Sequence, residues 1–142
     1  MNALLQAAQG ESEKLTFSSV AETLDQVVED LGVGVEVSAE LSTALPLPPG
    51  PLRVILRNLL SNAAAAGARN IHVTTVRLPG SWQLHVDDDG VGLGHADSYA
   101  GGSGLGLSLC RRIAARFGGV LELTPRASGG TRGTLELLEV RP

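Results

Sequence analysis

Apolar positions recur at helical spacing from Val20. Val20, Leu24, Val27, Val28 and Leu31 share one face, and Gly32 is well placed to stop the helix. Val33, Val35 and Val37 then alternate with polar residues, the period of a strand with one buried face. A proline-rich loop, "STALPLPPGP", leads to a second helix, "LRVILRNLLSNAAAAGA", with Pro51 suited to its first turn. This helix is apolar through Leu52, Ile55, Leu56, Leu59, Leu60 and Ala63, and Gly67 ends it. "NIHVTTVRL" and "WQLHVDDD" are two strands joined by "PGS" as a hairpin. "LGLSLCRRIAARFGG" is a third helix with a Gly-Gly stop, and "VLELTP" and "GTLELLEV" are the last strands, separated by "RASGGTR". The pattern predicts an α/β two-layer sandwich, a mixed β-sheet with helices packed on one face.

The 142 residues suffice for one domain and a single core. Only 3% are aromatic, so aliphatic side chains must build that core and no stacking surface for nucleic acid is available. A net charge of −4 gives no general attraction for nucleic acid or anionic lipid. Cys110 is the one cysteine, which excludes an internal disulfide and a cysteine metal cluster. No apolar run is long enough for a membrane span, the N-terminus does not read as a signal peptide, and a cytoplasmic location is expected.

Three places carry chemistry. In "WQLHVDDD", alternation puts Asp88 on the face of Leu84 and Val86, whereas Asp87 falls on the other face and Asp89 in the turn. An inward carboxylate is costly unless paired. It can accept a hydrogen bond from an exocyclic amine such as that of adenine, while Gly90 and Gly92 let a flat base approach the backbone. An acidic turn or cation loop is the alternative, though not an EF-hand, which would need a later glutamate. Next, "GGSGLGLSLCRR" puts Gly102, Gly104 and Gly106 just before and within the first turn of a helix. Free N–H groups and the helix dipole there can bind phosphate without a lysine; a flexible loop is the other reading. Finally, Asn58 and Asn62 are four apart on one face of an apolar helix. An amide oxygen suits Mg2+, and a satisfied polar pair has equal weight.

Taken in order, "LRNLLSNA", "DDGVG" and "GGSGLGLSLCRRIAARFGG" resemble the N box and the two glycine boxes of sensor histidine kinase catalytic domains. These domains have the Bergerat ATP-binding fold, in the superfamily of gyrase-, Hsp90- and MutL-type ATPases. The likeness runs from about Leu15 to Val140. It implies ATP and Mg2+ as ligands, with Asn62 binding the metal and Asn58 helping to hold phosphates or metal. It implies Asp88 on the adenine amine, Gly90 and Gly92 shaping the base pocket, and Gly102, Gly104, Leu105, Gly106 and Leu107 along the phosphates. Thr134 matches a threonine that supports the adenine-binding aspartate.

The resemblance also implies a protein-histidine kinase. Its partners would be a histidine-bearing dimerisation domain of the same parent and, through the parent, a response regulator, with no nucleic acid and no direct membrane contact. The parent itself can be membrane-anchored. Residues 1–14 read as the end of a dimerisation helix and a linker, 15–142 as the catalytic domain, and the chain as a fragment. His72, His85 and His95 read as ordinary strand and loop histidines, so the acceptor lies elsewhere. Asn58 stands where gyrase-like hydrolases carry a water-activating glutamate, which argues against an efficient ATPase. Two departures stand out: Ala64, Ala65 and Ala66 follow Asn62 where many relatives have a lysine, and only Leu93 to Gly101, with Tyr99 its one aromatic, connects the glycine boxes. Alternatives are an anti-sigma-factor-type serine kinase of the same fold and a degenerate docking module with weak or no ATP binding.

Overall fold

The computed structural model describes residues 16–32, 34–91 and 104–139. Chain order is α1 (Val20–Leu31), β1 (Glu36–Leu41), α2 (Pro49–Ala65), β2 (Asn70–Leu78), β3 (Ser81–Asp88), α3 (Gly104–Arg116), β4 (Gly119–Pro125) and β5 (Thr131–Leu138). The five strands form one sheet in the order β1-β2-β3-β5-β4. β1 and β2 are parallel, and every other neighbouring pair is antiparallel. The predicted mixed sheet with helices on one face is the observed fold.

Local chemistry explains the elements. Ser19 caps α1, its Oγ accepting from the Glu22 amide at 3.4 Å. Pro49 and Pro51 occupy the first turn of α2, where a missing N–H costs nothing. α2 packs between α1 and α3, and its fully buried Leu52, Ile55, Leu56 and Leu60 share one core cluster with Ile71, Val73, Leu84, Leu135 and Leu137 of the sheet. The proline-rich loop before α2 contributes more than a connection. Leu45 and Leu47 are wholly buried, and Ser18 donates its hydroxyl to the Leu47 carbonyl at 2.6 Å.

The strands keep the predicted period, with one boundary different. β5 begins at Thr131 rather than Gly133, because the β4–β5 turn uses only Arg126 to Gly130. Thr131, Gly133, Leu135 and Leu137 face the helices, and Thr134 and Glu136 face the other way. The outer sheet face is polar, with His72, Thr74, Gln83, His85 and Thr134 half-buried on it. No described helix is long and apolar enough to cross a membrane.

Truncating a fully buried α2 side chain should show how far the core depends on this helix. Leu56→Ala is expected to cost about 2–5 kcal/mol, the usual range for a core cavity. Urea unfolding of both proteins reads it, and a loss below about 0.5 kcal/mol would contradict the packing.

Candidate functional site

The end of β3 and the residue that follows it carry three carboxylates, and each has a different partner. Asp88 follows Leu84 and Val86 on the inner face and is 7% exposed. Its Oδ1 accepts from the Gly90 amide at 2.8 Å, and the Thr131 amide also bonds its carboxylate. Burial is the largest influence on Asp88 and raises its pKa; the two amides and the Arg126 charge offset part of that rise, and Asp89 adds to it.

Asp87 lies on the outer face, as alternation requires, yet it is hardly more exposed. Arg132 grips it with Nε and Nη2 at 2.6 and 2.9 Å, and this hydrogen-bonded guanidinium holds the carboxyl below its ordinary range. Beside it, His85 sits between Thr134 Oγ1 at 3.1 Å from Nδ1 and Gln83 Oε1 at 3.0 Å from Nε2. An amide oxygen only accepts, so Nε2 carries the proton and Nδ1 accepts from the threonine hydroxyl. Burial, then the Arg132 charge, lower the His85 pKa. Asp89 accepts from the Arg69 amide at 2.8 Å, the Asn70 amide at 3.0 Å and Asn70 Nδ2 at 2.9 Å. Those bonds, Asn70's foremost, hold its pKa down to about 2.

The turn after β3 docks onto the end of α2. A Cβ on Gly90 would lie 2.9 Å from both Ala66 Cβ and Ala66 O, and the Val91 amide donates to that oxygen at 3.1 Å. Gly90 and the small Ala66 are therefore required by the fold itself. The alanines after Asn62, read as a lost cation, include the residue that lets this turn close.

Asn62 and Asp88 come together in the structure. With Leu59, Val86, Leu123, Thr131 and Gly133 they line a recess of about 10 Å³, the room of roughly one water. Asn58, one turn earlier on the same helix, donates its side-chain amide to the Val54 carbonyl at 2.8 Å and is half-buried. α3 starts at Gly104, which puts Gly104, Gly106 and Leu107 in its first turn, Leu107 packing against the core. Gly92, Gly102, His95, Tyr99 and the side chain of Leu105 lie outside the described residues, as do residues 1–14.

Thr134 is a correction. It was matched to the threonine that supports the adenine-binding aspartate, but it faces outward and bonds His85. Thr131, three residues earlier and on the inner face, is the threonine beside Asp88. Sequence reading missed it by starting β5 two residues late, although the preceding Gly129-Gly130 pair marked the turn's end. Arg126 was also missed: its Nη1 donates to the Asp88 carbonyl at 2.6 Å. Other arginines serve the fold. Arg57 pairs with Asp30 at 2.7 Å across α1 and α2, and Arg111 Nε reaches the Leu121 carbonyl at 3.4 Å. Burial raises the Cys110 thiol to about 11, as befits an inert core residue.

No cluster of three or more metal-binding side chains occurs among the described residues. Asn62 does offer a hard amide oxygen beside Asp88. That donor set fits Mg2+ arriving with a nucleotide, since Mg2+ commonly takes few protein ligands together with phosphates and waters.

Residues 48–141 match the family described as histidine kinase-, DNA gyrase B-, and HSP90-like ATPase, and the chain belongs to it. Within it, the chain is similar to sensor kinases. It is 32% identical over 131 residues to the sensor protein kinase CarS of Pseudomonas aeruginosa, covering 84% of this chain and 29% of that protein. It is 34% identical over 115 residues to the sensor histidine kinase GtrS of the same species, covering 72% and 24%. The chain thus spans less than a third of those relatives. Among solved structures, the ATP-binding domain of PrrB from Mycobacterium tuberculosis aligns with a TM-score of 0.73 at 24% identity, covering 90% of this chain and 99% of that one. The mycobacterial sensor histidine kinase MprB aligns at 0.71 and 21%, covering 88% and 97%. The resemblance to sensor histidine kinase catalytic domains is borne out.

Two outcomes follow for stability. Gly130 has φ 91°, and a Cβ there would run into the Asp88 carbonyl, so Gly130→Ala should cost at least about 1–3 kcal/mol in urea unfolding. An unchanged midpoint would contradict that close approach. Arg132→Gln should cost about 1 kcal/mol at pH 7, a modest sum because the guanidinium is 45% exposed. Asp87's folded pKa lies below its ordinary 3.8, so the pair's contribution is present above that value and fades as pH falls through the depressed one. The difference between wild type and Arg132→Gln should therefore shrink below pH 3.8; a constant difference would contradict the assignment.

Proposed function

We propose that this chain is the Mg-ATP-binding catalytic domain of a two-component sensor histidine kinase. It donates the γ-phosphoryl group to a histidine on a separate dimerisation domain of the same parent, for relay to a response regulator. A cytoplasmic position goes with this reading, as does assignment of residues 1–14 to a dimerisation helix end and linker. The observation that carries it is the meeting of Asn62 and Asp88 at one recess, from α2 and β3, in a chain of this ATPase family.

The Asp88 carboxylate, fixed by the Gly90 and Thr131 amides, accepts from the adenine amine. Gly90 and Gly92 shape the floor on which the base rests. Gly102, Gly104, Leu105, Gly106 and Leu107 hold the phosphates, the α3 amides receiving phosphate oxygens with the help of the helix dipole. Asn62, aided by Asn58, offers oxygen to Mg2+, which when bound neutralises charge on the phosphates. Asn58 cannot take a proton from water as a glutamate would, so the side chains hold and orient rather than activate. The described histidines are committed to strand partners: His72 to Ser38 Oγ at 2.7 Å, and His85 to Thr134 and Gln83. The acceptor imidazole accordingly comes from another domain.

The docking-module reading has one observation in its favour, the narrowness of the recess. Calorimetric titration separates the two. ATP with Mg2+ should bind, GTP should bind much more weakly, and Mg2+ alone should give no heat. Asp88→Asn should weaken ATP by roughly 100-fold or more, since a buried acceptor becomes a mismatched donor. Asn62→Ala should remove the Mg2+ dependence. Wild-type affinity in Asp88→Asn would refute the adenine assignment, and silence at millimolar ATP would leave the docking module. Binding should also weaken as pH falls through the raised Asp88 pKa, above the ordinary carboxylate value, because the protonated group no longer offers that acceptor.

A further inference from the structure

The β3–β5 ladder ends one residue short of Asp88. The last β3–β5 pair is Asp87 with Arg132, so the Asp88 carbonyl has no strand partner on that side. A side chain completes it: Arg126, in the turn after β4, donates Nη1 to that carbonyl at 2.6 Å. The root of this side chain is fixed. The Arg126 amide donates to the Gly130 carbonyl at 3.1 Å, and its own carbonyl accepts from the Gly129 amide at 3.0 Å. Gly129 and Gly130, at φ 100° and 91°, make this tight return possible and bring the turn against the Asp88 backbone.

Two contacts from one hairpin thus hold one residue. Arg126 takes the backbone carbonyl of Asp88, and the Thr131 amide takes its carboxylate. Between them they set the backbone from which the side chain projects and the rotation of the carboxylate about it. We infer that Arg126 is a positioning residue for nucleotide selection: by holding the Asp88 carbonyl from the β4–β5 turn, it aims the Asp88 carboxylate at the base. This rests on the ATP reading above. Arg126 touches neither recess nor substrate, so its effect should fall on discrimination between bases.

A purely structural clamp would weaken all nucleotides alike. An aiming device should matter only for a base that gives the carboxylate a hydrogen. ATP supplies one from its 6-amino group, and ITP presents a 6-oxo oxygen instead. Calorimetry with Mg2+ would compare the two nucleotides on wild type, Arg126→Ala and Arg126→Lys, with thermal melts of the free proteins recorded alongside.

Wild type should prefer ATP over ITP by roughly tenfold or more. Arg126→Ala should lose roughly tenfold for ATP while ITP shifts less than about twofold, and Arg126→Lys, which keeps a donor, should recover most of the preference. Equal losses for both nucleotides, or an unchanged preference, would overturn this inference and leave the ATP reading standing. A wild type that binds neither nucleotide would overturn both. Should Arg126→Ala fail to fold, Arg126→Gln meets the same two outcomes, since its amide can fold the turn without the guanidinium's reach.

Discussion

A strand that runs out through three successive carboxylates within a folded domain has to find a partner for each, and the architecture around β3 is organised by that requirement. Burying an unpaired carboxylate costs more than most single contacts can offset. Here Asp87 is held by Arg132 of β5, Asp88 by amides on either side of it, and Asp89 by the amides that open β2. Strand alternation sends the first two to opposite faces of the sheet, so their charges meet different surroundings. The outcome is one carboxyl pulled down by an arginine, one pushed up by burial and one held low by amides.

Those contacts also fix what lies around them. Asp89 ties the end of β3 to the loop leaving α2, so the helix that carries Asn62 cannot move independently of Asp88. The Gly90 turn seats against Ala66, which sets the limit on residue size at the end of that helix. On the other flank, Gly130 and Arg126 press the β4–β5 turn against the same backbone. Residues far apart in sequence become neighbours through a stretch of three.

Much of this was legible in the chain because it follows from period. The apolar stripe of α2, the alternation that turned Asp88 inward and the hairpin at Pro79-Gly80 all stand where spacing placed them. What period could not give was where β5 begins. "RASGGTRGTLEL" holds two Gly-Thr pairs, and the alternation set by Leu135 and Leu137, which already sends Thr134 outward, is unchanged by a start at Thr131 or at Gly133. The compact return through Gly129 and Gly130 settles the start, adding Thr131 to the inner face. Arg126 left no signal at all, since a side chain completing a distant carbonyl has no sequence spacing to betray it. The alanines after Asn62 were legible as a departure, but their packing role needed the Gly90 turn to be seen in place.

On the ATP reading proposed above, the same geometry bears on why a phosphate site can lack a lysine. Among the described residues at the recess, Asp88 is the one titratable side chain in its lining, and it is negative. A fixed cation there would pair with Asp88 and remove the acceptor that a base amine needs. Keeping arginines on the backbone carbonyl and on Asp87, out of the recess, avoids that competition. Positive potential for phosphate can then come from the start of α3, whose amides are spent on nothing else within the helix. Separating the two recognition chemistries, a carboxylate for the base and helix amides for the phosphates, lets each remain unpaired by the other. On that reading the absence of a lysine from the recess lining belongs to the design of the site, because it leaves the Asp88 carboxylate unpaired by a cation there.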